Sequence, residues 1–207
     1  MKKILLIFIL TLFGFQNVDK LLIEKEYNTL NQKIPNTPQI IEFFSFLCPH
    51  CYEFEKLCNL DYYVKKQISS AIKIEKYHTS FLGGKFGRSL TRIWEISKII
   101  GLDQKVLIPL FKKIQDEKTI VNSYTLKKEF LKLTSIDEKE LKFLWNCFAI
   151  KSILYNQNII QNAINLDRVP LMLINGKYII NNANISHEST QDFIKKYTHI
   201  IQLLLEK

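Results

Sequence analysis

The sequence predicts an α/β fold in which the sheet-forming parts are separated by an all-helical insertion. An apolar run of strand length begins at Ile40 and changes to helical spacing near Cys51. Helical patterns without strands then occupy residues 82–160, and the alternation typical of strands returns after Asp167. With 207 residues, of which 47% are hydrophobic, the chain can bury the core of one domain that carries an inserted subdomain.

The N-terminal residues 1–15 are typical of a signal peptide. Lys2 and Lys3 precede an apolar stretch over residues 4–13, which is shorter than the about 20 residues that a membrane-spanning helix needs. No Ala-x-Ala motif marks a cleavage site, so an uncleaved N-terminal anchor is the alternative. Both interpretations predict that the rest of the chain is exported to a compartment where disulfides persist.

Residues 16–81 are predicted to form the first part of the sheet domain. The expected elements are, in order, a strand at residues 27–30, a turn region at 35–38, a strand from Ile40, a helix from Pro49 to about Lys66, and a strand at 72–77. The last three make a strand–helix–strand unit, which predicts two parallel strands in one sheet.

Residues 82–160 are predicted to form the helical insertion. Apolar residues recur at helical spacing in four segments, at residues 90–100, 106–114, 126–133 and 141–159. Gly101 is expected to end the first of these helices, and Pro109 to begin the regular part of the second. The run Ser135-Ile136-Asp137-Glu138 fits a capping box, from which one long helix is predicted through Ile159.

Residues 161–207 are predicted to complete the sheet domain. Apolar alternation over residues 171–174 and 177–180 predicts two strands. Asn175-Gly176 between them is a strong signal for a two-residue hairpin turn, since both types tolerate the left-handed backbone region. Ser189 is expected to cap a final amphipathic helix.

The pair Cys48 and Cys51 lies where the second strand changes to a helix, with Pro49 as the first helical residue. Backbone N–H groups of a helix's first turn lack partners and carry the positive end of the helix dipole, so a thiolate at Cys48 is stabilised and its pKa falls. His50 can add a donor or a positive charge. We therefore predict that Cys48 forms mixed disulfides with substrates, and that the less exposed Cys51 resolves them.

The spacing of the Cys, His and basic residues argues against two other functions, zinc binding and nucleic-acid binding. A zinc site would need a second Cys or His pair at finger-like spacing, and the remaining histidines, His78, His187 and His199, offer none, so no metal is expected. The formal net charge of +9 comes from lysines scattered along the chain, with only three Arg. Because no basic run alternates with aromatic residues, we expect no nucleic-acid binding.

The active-site region resembles a known family. The segments Glu42-Phe43-Phe44-Ser45-Phe46 and Cys48-Pro49-His50-Cys51-Tyr52, together with residues 76–78, 83–84 and 169–178, resemble the DsbA family of bacterial periplasmic dithiol oxidases, within the thioredoxin superfamily. The resemblance spans nearly all of the chain after residue 25. It implies a thioredoxin-like fold with an inserted all-helical subdomain, and an enzyme that is a protein disulfide oxidoreductase without a cofactor.

The resemblance also implies the biological setting. The expected substrates are unfolded exported proteins, which take the Cys48–Cys51 disulfide in the periplasm. A DsbB-like inner-membrane quinone reductase is the implied partner that restores the disulfide. The protein is expected to be a monomer, because the chain has no separate domain for dimerisation.

Four further residues are candidates for supporting roles. Strand alternation places Glu42 among large apolar side chains, where a carboxylate is costly unless it is paired or protonated. The resemblance puts it beneath the active site near Lys76, as a proton-handling group; the alternative is a Glu at a strand edge facing solvent. For Val169-Pro170 the resemblance implies a cis peptide facing the disulfide, with the Val169 backbone pairing with substrate; the alternative is a proline tolerated at the start of a strand.

The sequence leaves two questions open. Cys58 and Cys147 are either buried core residues or partners in a second, structural disulfide. Three functions remain possible from the sequence. The protein is an oxidase, or it is an isomerase or reductase kept reduced by another partner. The third alternative is a chaperone-like binding protein, in which the cysteines form only a structural disulfide in the helix. The pKa of Cys48 and the reduction potential discriminate between these functions.

Overall fold

The structure is a computed structural model that describes residues 25–207. The predicted signal peptide at residues 1–15 lies outside the described residues. Within residues 25–207, no helix is both long enough and apolar enough to cross a membrane.

The described residues contain one mixed sheet, in the order β1-β5-β4-β2-β3. Its strands are β1 (Tyr27–Thr29), β2 (Ile40–Phe44), β3 (Ile74–His78), β4 (Leu171–Ile174) and β5 (Tyr178–Ile180). β2 and β3 are parallel, and the other neighbours are antiparallel. Every residue of β2 is buried, because helices cover both faces of the sheet.

Eight α-helices surround the sheet in the described part of the chain. They are α1 (Pro49–Cys58), α2 (Leu60–Gln67), α3 (Gly84–Ile99), α4 (Asp103–Gln115), α5 (Ser123–Thr134), α6 (Glu138–Asn146), α7 (Phe148–Ala163) and α8 (Thr190–Leu205), with a 3-10 turn at Asn182–Asn184. Helices α3 to α7 all lie between β3 and β4. The predicted fold class, α/β with an inserted set of helices, is therefore confirmed.

The single helix predicted from Pro49 to about Lys66 is wrong, because the chain breaks at Asn59. Asn59 has φ 37° and ψ 50°, in the left-handed region, and separates α1 from α2. Asparagine adopts this conformation at lower cost than most residues. Leu60 and Val64 are buried on the far side of the break, so the apolar spacing continues and hides it in the sequence.

The single helix predicted from the Ser135 capping box is also wrong. Asp137, not Ser135, caps α6 and accepts a hydrogen bond from the Glu140 N–H at 2.7 Å. Ser135 ends α5 with φ 62°. A second break follows at Cys147, whose extended backbone separates α6 from α7.

Three other expectations for local structure have different outcomes. Pro109 does not begin the regular part of its helix, since α4 starts at Asp103 and contains Pro109 in its interior. The hairpin is confirmed, but its loop has three residues, because Asn175 and Gly176, with φ 52° and 62°, and Lys177 separate the paired Ile174 and Tyr178. Ser189 is confirmed as the cap of α8, accepting from the Asp192 N–H at 3.2 Å.

The hydrophobic core joins the insertion to the sheet at one place. Phe44 and Phe46, at the end of β2, pack in the same buried cluster as Trp94 of α3 and Phe111 of α4. Their rings meet edge-on, with centroids 5.2 Å apart for Phe44 and Trp94 and 4.8 Å apart for Phe46 and Phe111. The segment that leads to Cys48 is therefore held between the sheet and the insertion.

Candidate active site

Cys48 occupies the N-cap position of α1. Its backbone is extended, and its sulfur accepts a hydrogen bond from the Cys51 N–H at 3.3 Å. Pro49 is the first helical residue, where its missing N–H costs nothing. In the thiol form, Cys48 Sγ donates to the Val169 carbonyl at 3.4 Å. None of the four cysteines is joined in a disulfide in this structure.

The two active-site thiols ionise in opposite ways. The pKa of Cys48 is lowered from 9.0 to about 6. The largest cause is the hydrogen bond from the Cys51 side chain. The backbone N–H groups of Cys51 and His50 and the positive charge of His50 lower the pKa further. These contributions outweigh burial, which acts in the other direction. Burial raises the pKa of Cys51 far above its usual value, and the bond to Cys48 adds to the rise. At neutral pH, Cys48 is therefore the nucleophilic thiolate.

His50 lies on the exposed side of the site. Its side chain is 83% accessible, and its Nδ1 is 3.5 Å from Glu53 Oε2, which is itself 68% accessible. A contact between such exposed groups is weak. His50 is therefore free to interact with a molecule that approaches Cys48.

Beneath the active site lies a buried cluster of charged residues. Lys76 Nζ is 2.5 Å from Glu42 Oε2 and 2.5 Å from Glu55 Oε1, and Glu42 is only 1% exposed. The alternative of a solvent-facing Glu42 is wrong, because β2 lies in the interior of the sheet. One lysine can neutralise only one carboxylate, so the second is best accommodated with its proton.

Burial raises the pKa of Glu42 to about 8. The positive charge of Lys76 acts to lower this pKa, and the negative charge of Glu55 acts to raise it. Burial acts to lower the pKa of Lys76, but the carboxylates of Glu42 and Glu55 outweigh it and raise that pKa. The negative charge of Glu42 adds a smaller contribution to the raised pKa of Cys51. Among the described residues, Glu42 Oε1 has no hydrogen-bond partner.

The Val169–Pro170 peptide bond is cis and lies against Cys48. The Asn182 side chain donates to the Pro170 carbonyl at 3.1 Å. Pro170 precedes the first residue of β4, Leu171. The sequence prediction of a cis bond is confirmed, and the structure brings Val169 and Pro170 to Cys48 from 121 residues away.

Known proteins are similar to this chain over most or all of its length. Residues 39–195 match the model of the DSBA-like thioredoxin domain. The chain is similar to the thiol:disulfide interchange protein DsbA of Buchnera aphidicola subsp. Baizongia pistaciae, with 44% identity over 209 residues that cover 100% of this chain and 99% of the relative. The chain belongs to the DsbA family. It is accordingly a disulfide oxidoreductase.

Other DsbA relatives are more distant but equally extensive. DsbA of Escherichia coli strain K12 is 35% identical over 183 residues, which cover 88% of both proteins. Among solved structures, Proteus mirabilis DsbA with a non-covalently bound peptide has a TM-score of 0.81 at 30% identity, covering 88% of this chain and 96% of that one. Klebsiella pneumoniae DsbA has a TM-score of 0.82 at 28% identity, covering 89% and 97%.

In this DsbA-family site, sequence reasoning missed His78. It is fully buried, and burial lowers its pKa to about 3, so the ring is neutral at physiological pH. Its Nε2 accepts the Phe46 N–H at 3.1 Å, and its Nδ1 is 2.8 Å from Thr91 Oγ1. His78 therefore fixes the backbone two residues before Cys48. Its position at the end of β3 was the available signal.

The insertion contributes a second group that sequence reasoning missed. The Gln115 side chain, at the end of α4, donates to the carbonyls of Phe46 at 2.9 Å and Cys48 at 3.1 Å. Tyr52 on α1 donates to Asp116 at 2.8 Å. No local pattern predicts these contacts, because they join segments more than 60 residues apart.

Sequence reasoning also missed Glu55, although the sequence contains a signal for it. Glu55 lies one helical turn after Cys51 on a largely buried face of the helix.

A groove of about 600 Å³ is lined by His50 and by the Val169–Pro170 segment that lies against Cys48. Its apolar lining includes Phe54, Leu57, Pro170 and Phe193, and Leu57 is 60% exposed. Cys58 also lines it, and burial raises the pKa of that thiol to about 11. Cys147 packs against the separate cluster of the insertion. The second disulfide considered from the sequence is therefore absent between these two described residues.

Proposed function

We propose that the protein donates a Cys48–Cys51 disulfide to unfolded exported proteins. A substrate thiolate attacks Cys48 Sγ, the Cys48–Cys51 bond breaks, and Cys51 leaves with the electron pair. A second substrate thiolate then attacks the substrate sulfur of the mixed disulfide and expels the Cys48 thiolate. The substrate gains a disulfide, and the enzyme is left with two thiols.

The observation that carries this proposal is the stabilised thiolate of Cys48. The lowered pKa of Cys48, to about 6, stabilises the reduced form and makes Cys48 a good leaving group. Stabilisation of the reduced form makes the disulfide oxidising, because reduction is then favourable. This favours an oxidase over a reductase.

Departure of Cys51 requires a proton, because the pKa of Cys51 is far above neutral pH. Glu42, with a pKa of about 8, holds a proton at neutral pH. We assign Glu42 the role of proton donor to Cys51, and Lys76 that of the charge that keeps the carboxyl pair in place. Glu55 shares Lys76 and belongs to the same cluster.

Substrates are proposed to bind as extended chains beside Cys48. The Val169 backbone lies against the Cys48 sulfur, where it can pair with an extended segment, and Pro170 follows it. The apolar groove lined by Phe54 and Phe193 accepts apolar side chains. The Proteus mirabilis relative was solved with a non-covalently bound peptide, which supports peptide binding by this fold.

The remaining parts of the proposal concern the setting. Export by residues 1–15 places the protein in the periplasm, where a DsbB-like inner-membrane quinone reductase reoxidises it. It acts as a monomer, without a cofactor. We propose that residues 16–81, of which 25–81 are described, belong with residues 161–207 to the thioredoxin-like domain, and residues 82–160 to the helical subdomain, whose last helix, α7, continues to Ala163.

A trapping experiment tests the proposal. In a Cys51→Ala, Cys58→Ala, Cys147→Ala variant, Cys48 is first converted to its mixed disulfide with thionitrobenzoate. We expect a reduced, unfolded substrate to release thionitrobenzoate and to remain covalently bound at Cys48, as read by intact mass. The matched control carries Cys48→Ala in addition and gives no adduct. Absence of any adduct in the first variant contradicts the oxidase.

The reduction potential separates the alternatives. An oxidase requires a potential less negative than the about −180 mV of protein disulfide isomerase. A value close to that of thioredoxin, about −270 mV, indicates a reductase. A low potential together with an unreactive Cys48 indicates a binding protein with a structural disulfide.

A further inference from the structure

A second cavity lies in the insertion between α3 and α7 and contains an unusual concentration of positive charge. It has a volume of about 600 Å³. Lys85, Arg88 and Arg92 from α3 and Lys151 from α7 line it, and we call these four residues the basic pocket. No carboxylate is among the residues that line this cavity.

The cations of the basic pocket also lack carboxylate partners elsewhere. Within residues 25–207, none of the four lies within ion-pair distance of an Asp or Glu. The single acidic residue of α3, Glu95, is 1% exposed and is paired with Lys98 at 3.1 Å, and α7 contains no acidic residue. Four like charges around one cavity repel each other, so an anion in the cavity is stabilised.

One of these cations is held in place. The Arg92 guanidinium donates to the Trp145 carbonyl and lies 5.4 Å from the centre of the Trp145 ring. Lys85, Arg88 and Lys151 are exposed. The two guanidinium groups of Arg88 and Arg92 suit carboxylates, which accept two parallel hydrogen bonds from Arg, and Lys85 and Lys151 add positive charge.

The cavity of the basic pocket adjoins a polar groove that extends to Leu166, three residues before Val169. This groove, of about 490 Å³, shares Ser80 and Asn158 with the lining of that cavity. Its other polar residues, Gln161, Asn162 and Asn165, carry amides, which both donate and accept hydrogen bonds, as an extended peptide backbone requires. We call it the amide groove.

The amide groove ends at Leu166, which packs on the same hydrophobic cluster as Val169. The loop that carries Val169 and Pro170 is the one that lies against Cys48. The amide groove therefore lies between the cavity of the basic pocket and the segment that carries Val169.

We propose that the basic pocket binds an acidic segment of the polypeptide whose cysteine is oxidised at Cys48, with the intervening backbone in the amide groove. This inference rests on the proposed function. It defines a substrate class, namely unfolded chains with a cluster of Asp or Glu near a cysteine. The attraction between the acidic segment and the basic pocket is strongest at low salt, because salt screens interactions between exposed charges.

The test uses unstructured peptides that contain one cysteine. Flanking clusters of four Asp, four Gln or four Lys are placed on either side of the cysteine in separate peptides. The rate constant for mixed-disulfide formation is measured with the oxidised full-length protein at low and high salt. For one acidic orientation we expect a rate about tenfold that of the Gln peptide, and a loss of this preference at high salt.

The decisive variant is K85Q/R88Q/K151Q, in which three exposed cations of the basic pocket lose their charge. The control, K33Q/K105Q/K195Q, removes three exposed lysines that line neither the cavity of the basic pocket nor the amide groove, and it changes the net charge equally. We expect the pocket variant to reduce the acidic preference to about twofold or less, and the control to keep most of it.

The inference is overturned if the pocket variant and the control behave alike, since the preference then reflects net charge alone. Equal rates for the Asp and Gln peptides with the unaltered protein overturn it as well. Binding to phosphatidylglycerol vesicles that is lost in the pocket variant, without a peptide preference, assigns the basic pocket to a membrane surface instead. In each case formation of a mixed disulfide between Cys48 and the Gln peptide shows that the proposed function stands, whereas failure of every peptide to form one contradicts that function itself.

Discussion

At the scale of single residues, the chemistry depends on a difference between two thiols three positions apart. Cys48 sits at the N-cap and receives hydrogen bonds from the first turn of α1, whereas Cys51 is fully buried inside the helix. Hydrogen bonding to a thiolate stabilises its charge, and burial destabilises it. The same helix therefore makes one sulfur acidic and keeps the other protonated.

The charge of His50 contributes to the lowered pKa of Cys48. We expect His50→Gln to raise that pKa and to slow alkylation of Cys48 at pH 6 by roughly two- to tenfold, since a unit of pKa changes the thiolate fraction about tenfold. The measurement is the rate of iodoacetamide reaction against pH in a variant without Cys58 and Cys147. His199→Gln, an exposed histidine on α8, is the control. An unchanged profile for His50→Gln contradicts the assigned role.

The buried cluster predicts a large cost for removing Lys76. Lys76→Met leaves Glu42 and Glu55 buried without a cation, and we expect it to lower the free energy of unfolding by about 3–5 kcal/mol. Lys73→Met breaks an ion pair with Glu75 in which Lys73 is 69% accessible, and it should cost less than about 1 kcal/mol. Urea unfolding of both variants makes the comparison. Equal costs would mean that the cluster is not buried as described.

At the scale of elements, a few residues set where helices begin, end and turn. Pro49 starts α1 immediately after the N-cap, so that Cys48 receives the helix N–H groups. Asn59, Ser135 and Cys147 end helices by leaving helical backbone conformation. The breaks let α2 and α7 pack in new directions, which a continuous helix could not do.

The cap of α6 provides a test at this scale. Asp137→Ala removes the acceptor for the Glu140 N–H and should cost about 1 kcal/mol of unfolding free energy. Ser135→Gly should be neutral or stabilising, because glycine adopts the φ of 62° at Ser135 without strain. Thermal or urea unfolding distinguishes the two. A larger loss for the Ser135 variant would restore the capping box expected from the sequence.

At the scale of the whole molecule, the insertion and the sheet share one core at the active site. Phe46 packs on Phe111, and Gln115 holds the carbonyls of Phe46 and Cys48. The insertion therefore packs beside the active site and also holds the backbone at Cys48 in place.

The stability of the reduced protein should depend on pH through Cys48. Because the folded pKa of about 6 is below the unfolded value near 9, the contribution of Cys48 is fully present above pH 9 and is lost as pH falls through 6. We expect the difference in unfolding free energy between the protein and its Cys48→Ser variant to rise from pH 5 to pH 9. Urea unfolding at pH 5, 7 and 9 with reductant present measures it. A difference that does not change with pH contradicts the lowered pKa.

The sequence by itself determined those features that depend on neighbouring residues. The Cys-x-x-Cys pair at a strand-to-helix junction, the Asn175-Gly176 turn and the Ser189 cap are local, because backbone preferences and first-turn hydrogen bonds act within a few positions. The resemblance to the DsbA family added the pairing of Glu42 with Lys76 and the cis bond before Pro170.

Only the tertiary structure decided which distant residues meet. Glu55 joins Lys76, Gln115 reaches the Cys48 carbonyl, and Lys151 joins Arg88 in one cavity, although each pair is separated by more than 20 positions. The breaks at Asn59 and Cys147 belong here too, because apolar residues continue at helical spacing across both. Periodicity reports which face of a segment is buried, whereas the partner of that face depends on how the whole chain packs.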